Sequence, residues 1–403
     1  MFWKRRTYLD YAAGVVGNPS SPHYEGRRAK QMLEDARTAI ARLVEVQSED
    51  IIFTSGATEA NALAILGVVR SKQQTASSKQ KIHALYLPSA HASVVENMKL
   101  LAEEEVEVEE LPIKNYRVDT EALAKMLRGE TVLVSMDAVC GETGVVWNTC
   151  EVADVLKKFR TGTLKKESAR AARPIQHSFF SVPVLHVDAS QAPLTEKITR
   201  AHFGADLLTF EGSKVGPPVG GRGIGALIVH RTIPLEPLYR GGGQERGLRP
   251  GSEAPELAER FATALDAAAR GRESFRARAE ADRALLVKRV MASVSGACVN
   301  EGRRQTPNIL NFSFPGRDTD YLAALLDEEG FAVSTRSACE TDSEEGSRAV
   351  LALASDQQRA LSTLRISWGP GIRPDELRRF AERLLRAVQF IDKNSHGQHY
   401  SHI

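Results

Sequence analysis

The sequence lacks the features of membrane and secreted proteins. No segment approaches the run of about eighteen apolar residues that a membrane-spanning helix needs. The first residues, MFWKRRTYLDYAAG, are charged but contain no apolar signal core, so secretion is not expected. Cysteine is scarce: four residues with neither CxxC spacing nor the density of a disulfide framework are typical of reduced intracellular thiols. We therefore expect a cytoplasmic protein.

Neither sign of charge is in excess. Lysine and arginine number 53 and aspartate and glutamate 51, which gives a formal net charge of +2. Nucleic acid and membrane surfaces are therefore not predicted as the main partners. The histidines of the C-terminal NSHGQHYSHI have no metal-ligand spacing, so no metal site is predicted. With 403 residues, 42% of them hydrophobic, the chain is long enough for two or three domains and a buried site.

Strand-like and helix-like segments alternate over the first part of the chain, which predicts an α/β fold with a mostly parallel, seven-stranded sheet. The predicted strands are Ile51–Thr54, Ala84–Leu87, Val106–Leu111, Thr131–Met136, Val184–Val187, Leu207–Phe210 and Ile224–Val229. The predicted helices are Tyr24–Val44, Glu59–Val69, Ala92–Glu103 and Glu151–Phe159.

The pattern changes at about Pro255. A long helical stretch is followed by two strands, at Asn308–Phe314 and Leu364–Ser367, and by helices near Asp318–Glu329 and after Pro374. This order indicates a smaller α+β domain. We predict a large domain of residues 18–254 and a small domain of residues 1–17 and 255–403.

A candidate anion site lies in TSGATEAN, Thr54–Asn61, which follows a strand and opens a helix. A small glycine-containing turn leaves backbone N–H groups free, and the helix dipole favours an anion there. Thr58 adds a hydroxyl. On its own, the segment is a weak signal, and an ordinary capped helix start is the favoured interpretation.

Two further strand ends carry polar side chains. Asp188 ends VLHVD with Gln191 three residues on, and open α/β sheets place ligands at such ends. An aspartate there can hold a cationic ring nitrogen of the kind that pyridoxal phosphate presents. Lys214 ends DLLTFEGSK before a glycine-rich stretch. It is either a solvated surface lysine or one that forms a Schiff base.

These and other segments together resemble the cysteine desulfurases of the NifS/IscS type, pyridoxal-phosphate enzymes of the class V aminotransferase group. The resembling segments run in family order over nearly the whole chain and are YLDYAAG, NPSSPHYEGR, SGATEAN, SAHASVVE, GETG, HVDASQ, GSK, GGGQERGLRPGSE, PNILNFSF, STRSAC and LRISWG. GGGQERGLRPG and RSAC are the most diagnostic. The resemblance implies fold type I, with a large cofactor-binding domain and a smaller domain.

The resemblance also implies roles for residues around the cofactor ring. Lys214 matches the lysine that binds the cofactor and moves the substrate α-proton. Asp188 matches the carboxylate paired with the ring nitrogen, Gln191 the donor to the ring hydroxyl, and His91 the imidazole stacked on the ring. Arg365 matches the guanidinium that binds the substrate carboxylate, for which a bidentate fork is well suited.

Other matching residues concern the phosphate, the partner subunit and sulfur. Ala57 and Thr58 match the phosphate-binding turn. Ser252 matches the hydroxyl that reaches the phosphate of a neighbouring subunit, which implies a homodimer. Cys339 matches the nucleophile that takes sulfur from L-cysteine. Its polar surroundings, Val333–Gly346, are typical of an exposed, reactive thiol rather than a structural one.

The resulting hypothesis is a cysteine desulfurase that releases L-alanine and passes persulfide sulfur to an acceptor or an iron–sulfur scaffold protein, for iron–sulfur cluster or thio-cofactor synthesis. One alternative is another fold-type I lyase or aminotransferase, such as a selenocysteine lyase. A second is a catalytically weakened sulfur-transfer scaffold. A polar segment around Cys339 favours the desulfurase, because a plain aminotransferase needs no such cysteine.

Four departures from the family pattern mark a divergent member. Only Val15–Gly17 stand where the family has a helix. Cys140–Gly141 replace two asparagines, and Thr161–Pro183 is an insertion. Before Lys214, the family's Ser-x-His is replaced by Glu211, Gly212 and Ser213. We expect Glu211 to repel a phosphate unless it turns away or is protonated, and Ser213 to supply a compensating hydroxyl.

Overall fold

The computed structural model describes residues 6–15, 17–75, 81–162, 183–216, 222–335 and 346–395. Their α-helices are α1 Tyr24–Val44, α2 Ala57–Thr75, α3 Ala92–Glu103, α4 Thr120–Met126, α5 Thr149–Arg160, α6 Arg200–Phe203, α7 Pro255–Ser293, α8 Thr319–Glu328, α9 Arg348–Ala354, α10 Gln357–Leu361 and α11 Pro374–Ser395. Their strands are β1 Ile51–Thr54, β2 His83–Tyr86, β3 Glu107–Glu110, β4 Ile113–Lys114, β5 Arg117–Val118, β6 Thr131–Asp137, β7 Val184–Asp188, β8 Leu207–Glu211, β9 Gly225–Val229, β10 Cys298–Val299, β11 Ile309–Ser313 and β12 Thr363–Ser367.

The central sheet has seven strands in the order β1-β9-β8-β7-β6-β2-β3. Strand β9 is antiparallel to both of its neighbours, and the other neighbouring pairs are parallel. All seven strands predicted for the first part of the chain belong to this sheet. The predicted mostly parallel α/β fold is therefore confirmed. Nearly all of the apolar side chains of β6 to β9 are buried, as expected for a sheet that lies between helical layers.

The carboxyl ends of the parallel strands bring polar residues to one edge of the sheet. Asp137 ends β6 and Asp188 ends β7, and the two are register partners. Strand β8 ends at Glu211 and continues into a 3-10 turn, Gly212–Lys214. Two residues separate β1 from helix α2, and this turn lies beside β9: a β-carbon on Gly225 would lie 2.6 Å from the backbone carbonyl carbon of Gly56. Only glycine permits this close approach.

A second hydrophobic core lies around a three-stranded antiparallel sheet, β10-β11-β12. Helix α7 contributes to both cores, with Phe261 and Leu265 in the larger one and Phe275 and Leu286 in the smaller one. Helices α8 and α11 complete the smaller core. The predicted α+β elements are thus present, and the domain boundary at residues 254/255 stays a prediction.

Short elements escaped the sequence analysis. The hairpin β4–β5 turns at Asn115 and Tyr116, whose φ angles of 51° and 60° are those of a tight two-residue turn. Helices α4, α9 and α10 are too short to show a clear 3.6-residue period. Among the described residues, no helix combines the length and the apolar character that crossing a membrane requires.

Candidate active site

The centre of the site is the carboxylate of Asp188, which is buried at the end of β7. Its Oδ2 accepts a hydrogen bond from Asn61 Nδ2 at 2.7 Å, and its Oδ1 accepts one from the Ser190 backbone N–H at 2.9 Å. Burial alone would raise the pKa of Asp188. The two hydrogen bonds and the electrostatic effects of the nearby Lys214 and His91 outweigh burial and hold the pKa of Asp188 below its usual range. The site therefore keeps a negative charge at this strand end.

A hydrogen-bonded chain joins Asp188 to His91. Asn61 Nδ2 also donates to Ser93 Oγ at 2.9 Å. The Ser93 hydroxyl lies 2.8 Å from His91 Nδ1, and its backbone N–H donates to the same nitrogen at 3.2 Å. Because Nδ1 is an acceptor in this network, we assign the proton of the neutral ring to Nε2. His91 therefore presents an N–H donor on the side of the ring opposite Ser93.

Asn61 and Ser93 were missed by the sequence analysis, although both lie in segments that carry the family resemblance. Asn61 is completely buried in α2, within the otherwise apolar stretch ANALAILGVV. A buried amide in such a helix requires a polar partner, because leaving it unpaired costs about 1–3 kcal/mol. The need for a polar partner was the signal available in the sequence, but the partner of Asn61 was identifiable only from the fold.

Asp137 is a second carboxyl group beside Asp188 that the sequence analysis also missed. It is buried, and burial together with the negative charge of Asp188 raises the pKa of Asp137 to about 8. Asp137 is therefore mostly protonated at neutral pH, whereas Asp188 is charged. Two adjacent carboxyl groups divide into one acid and one base in this way when only one charge can be accommodated.

Lys214 is half-buried at the end of the 3-10 turn that follows β8. Its charge contributes to the pKa values of both Asp188 and Asp137, so it lies on the same side of the sheet edge. Within the part of the chain that the structure describes, its side chain makes no hydrogen bond or ion pair. An amine without a fixed partner, next to a buried carboxylate, is suited to react with a carbonyl group.

Arg365, Gly141 and Gln191 lie side by side at the edge of the site. Arg365 is on β12, and its Nη1 donates to the Gly141 carbonyl at 3.2 Å while Nη2 donates to Ser334 Oγ at 3.1 Å. A β-carbon on Gly141 would lie 2.8 Å from Gln191 Nε2. The amide of Gln191 thus occupies space that a larger residue at position 141 would need. The neighbouring Cys140 is buried, and burial raises the pKa of its thiol to about 12, as for an inert structural cysteine.

The turn at the start of α2 holds a carboxylate of the chain itself. Glu211 Oε2 accepts a hydrogen bond from the Ala57 backbone N–H at 2.8 Å. Glu211 Oε1 accepts from both the backbone N–H of Ser213, at 3.1 Å, and its hydroxyl, at 3.0 Å. Glu211 therefore does not turn away from the start of α2, and the expected repulsion of a phosphate stays a prediction. Thr58 is exposed beside it.

Two predicted residues lie outside this cluster. Ser252 is exposed, in a segment whose Arg249 forms an ion pair with Glu59 of α2 at 3.3 Å. Cys339 lies outside the described residues. The residues that flank its segment are described: Ser334 pairs with Arg365 through backbone hydrogen bonds, and Arg348 donates to the carbonyl of Ala90, next to His91. Both ends of the segment are therefore anchored at the site.

Comparison with known proteins identifies the family. Residues 5–164 and 177–380 match the class-V aminotransferases. The chain belongs to that family. It is 30% identical to cysteine desulfurase IscS 1 of Archaeoglobus fulgidus over 94% of this chain and 92% of the relative. It is 32% identical to the mitochondrial cysteine desulfurase of Arabidopsis thaliana over 94% of this chain and 78% of that one.

A solved structure agrees with these relatives. A NifS-like protein superposes with a TM-score of 0.79 at 27% identity, over 93% of this chain and 92% of that one. The predicted resemblance to the cysteine desulfurase branch of the class-V aminotransferases is confirmed. The family match is interrupted at residues 165–176, within the predicted insertion Thr161–Pro183, of which residues 163–182 lie outside the described ranges.

The cofactor of this family of enzymes is pyridoxal 5′-phosphate. The part of the site around Asp188, the ring end, fits that group, because Asp188 is a buried carboxylate kept charged by the hydrogen bonds of Asn61 and Ser190. Lys214 supplies an amine next to it. The turn at the start of α2, the phosphate end, fits less well. There Glu211 already accepts the hydrogen bonds from Ala57 and Ser213 that a phosphate would need. Among the described residues, no group of three or more His, Cys, Asp or Glu side chains is arranged to hold a metal ion.

Proposed function

We propose that this protein is a cysteine desulfurase that removes sulfur from L-cysteine, giving L-alanine and a persulfide on Cys339. The observation that carries the proposal is that a buried, charged Asp188 lies at the same sheet edge as Lys214, whose amine makes no hydrogen bond or ion pair with the described residues. The activity named for its cysteine desulfurase relatives supports the same reaction over the lyase, aminotransferase and scaffold alternatives.

The residues around Asp188 would hold the cofactor ring. Pyridoxal phosphate, when bound, supplies an electron sink that weakens the bonds of the substrate α-carbon. Asp188 would accept a hydrogen bond from the ring nitrogen and favour its protonated form, Gln191 would donate to the ring hydroxyl, and His91 would pack against the ring. Lys214 would hold the cofactor through its amine, and the same amine would serve as the base that moves the substrate α-proton. Arg365 binds the substrate carboxylate through its guanidinium group.

The sulfur step belongs to Cys339. Its thiolate attacks the substrate sulfur, a sulfur–sulfur bond forms, and the carbon–sulfur bond breaks. The electron pair of the broken bond stays with the substrate carbon, which takes up a proton and becomes the methyl group of L-alanine. Cys339 follows Ser334, whose backbone pairs with that of Arg365, by only five residues in the sequence. This short separation in the sequence supports its role.

We further propose that the persulfide passes to an acceptor or iron–sulfur scaffold protein in the cytoplasm, for iron–sulfur cluster or thio-cofactor synthesis, and that the protein works as a homodimer. Exposure of Ser252 supports the dimer, because an exposed hydroxyl can contact a neighbouring subunit. Sites shared between subunits predict that mixing inactive Lys214→Ala and Ser252→Asp proteins restores activity, since one of the two sites in a mixed dimer is intact. No restoration, with mixed dimers demonstrated, would exclude a shared site.

The reaction itself is tested by measuring alanine and sulfide from L-cysteine with added pyridoxal phosphate and a thiol reductant. Equal amounts of the two products are expected, with none from Lys214→Ala or Cys339→Ala. Alanine formation by Cys339→Ala at the parental rate would rule out the persulfide mechanism. Absence of product from a protein that has bound the cofactor would rule out the desulfurase.

A further inference from the structure

The phosphate end of the site differs from the ring end because a side chain of the protein fills it. Glu211 lies 154 residues from Ala57 in the chain, yet its carboxylate caps the N-terminus of α2. Three hydrogen bonds, one from Ala57 and two from Ser213, are made to its two oxygens. An anion at a helix N-terminus is favoured by the helix dipole as well as by these donors.

The backbone fixes this position of Glu211. Glu211 is the last residue of β8 and is the register partner of Gly225 on β9. Gly225 in turn packs directly against Gly56, in the turn before α2. A β-carbon on Gly56 would lie 3.0 Å from Glu211 Oε2, so the carboxylate and the turn are in close contact. The side chain therefore reaches the turn without leaving its place in the sheet.

A second carboxylate, that of Glu59, accepts a hydrogen bond from another backbone N–H of the same turn. Glu59 Oε2 accepts the backbone N–H of Ser55 at 2.5 Å, and Glu59 Oε1 binds Tyr239 and Arg249. Glu59 has its own cation, whereas none of the ion pairs among the described residues involves Glu211. A phosphate entering the turn would therefore meet Glu211 as an uncompensated like charge and would have to replace it on Ala57 and Ser213.

We propose that Glu211 is a specificity residue that competes with the cofactor phosphate for the start of α2. This inference rests on the proposed use of pyridoxal phosphate and goes beyond it. The competition makes binding of the phosphorylated cofactor weak and reversible, and it reduces the preference of the site for pyridoxal phosphate over pyridoxal, which lacks the phosphate.

The test is a titration of the full-length, cofactor-free protein with pyridoxal phosphate and, separately, with pyridoxal, followed by absorbance. Glu211→Ser is expected to bind pyridoxal phosphate at least about tenfold more tightly than the parent, because the like charge is removed and the donors are freed. Its affinity for pyridoxal should change less than twofold, on the order of other surface changes. Unchanged or weaker binding of pyridoxal phosphate, or an equal gain for both ligands, would overturn the proposal.

Two control variants separate the contact from general charge and from folding. Glu59→Gln removes a neighbouring charge outside the contact with Ala57 and Ser213, and a gain as large as that of Glu211→Ser would overturn the proposal. Glu211→Gln keeps the shape and an acceptor oxygen, so it is expected to fold like the parent and to show an intermediate gain. If Glu211→Ser does not fold, absence of any gain in Glu211→Gln overturns the proposal.

Inorganic phosphate supplies a readout that needs neither cofactor nor activity. Phosphate is expected to raise the thermal unfolding midpoint of cofactor-free Glu211→Ser more than that of the parent. An equal rise in both proteins would contradict the competition. This outcome is independent of the reaction. Tighter cofactor binding by Glu211→Ser without alanine formation would contradict the proposed function and not the role of Glu211. Alanine formation with unchanged cofactor binding would contradict only the role of Glu211.

Discussion

At both ends of the candidate active site, hydrogen-bond donors hold a carboxylate, but the consequences for a ligand are opposite. At the ring end, Asn61 and Ser190 donate hydrogen bonds to Asp188 and stabilise its negative charge, and a carboxylate can accept further hydrogen bonds from a ligand. At the phosphate end, Ala57 and Ser213 hydrogen-bond to Glu211, so the donors themselves are occupied. A matching motif therefore indicates a binding site only if its partners in the folded chain leave it free.

Removing the charge at the ring end should have the largest effect. Asp188→Ala takes away the carboxylate that would pair with the ring nitrogen, and we expect alanine formation to fall on the order of a hundredfold or more, with poor cofactor retention. Cofactor content after purification and initial rates of alanine release measure the change. Parental cofactor content and rate would mean that the ring end lies elsewhere.

A substitution of Asp137 tests whether the ring end accommodates only one negative charge. The folded protein keeps a proton on Asp137 up to about pH 8, whereas an unfolded aspartate loses it near pH 4. The folded state thus binds more protons between these values, and its stability falls as the pH rises through this window. Asp137→Asn should remove that fall, because the amide imitates the protonated carboxyl.

The measurement is the free energy of unfolding in urea, at about pH 4 and about pH 8, on cofactor-free protein. Asp137→Asn should exceed the parent by up to a few kcal/mol at the higher pH and by little at the lower pH. A difference that does not change with pH would show that Asp137 titrates normally.

The hydrogen-bonded chain at the ring end can be cut at two points. Asn61→Ala leaves Asp188 Oδ2 without its donor and should cost about 1–3 kcal/mol of stability. Ser93→Ala removes the hydroxyl that lies between Asn61 and His91 but keeps the Asn61–Asp188 bond, so its cost should be about 1 kcal/mol or less. Urea unfolding midpoints compare the two variants. Equal costs would argue that the Asn61–Asp188 bond contributes nothing specific.

The same glycine-to-alanine substitution at each end of the site tests how rigid that end is. In Gly225→Ala, the new carbon would meet the backbone of Gly56 at the phosphate end, and we expect a loss of about 1–3 kcal/mol. In Gly141→Ala it would meet the end of the flexible Gln191 side chain, and about 1 kcal/mol or less is expected. Thermal unfolding gives both values, and the reverse order would refute this comparison.

Much of the fold was accessible from the sequence because long strands and helices carry strong periodic patterns. All seven strands of the central sheet and helices α1 and α3 were predicted to within a residue or two. The motif comparison also placed Lys214, Asp188 and His91 in one site, and their mutual electrostatic effects agree with that grouping. Their catalytic roles stay predictions.

The sequence by itself determined the alternation of elements, the family and the residue types available for chemistry. Only the tertiary structure decided that Glu211 caps α2, that Asn61 binds Asp188 and that Asp137 lies beside Asp188. Each of these contacts joins side chains on different strands or helices, and depends on strand order and register. The physical reason is that hydrogen bonds and pKa shifts act over a few ångströms, and such separations between distant parts of the chain are set by packing, not by local sequence.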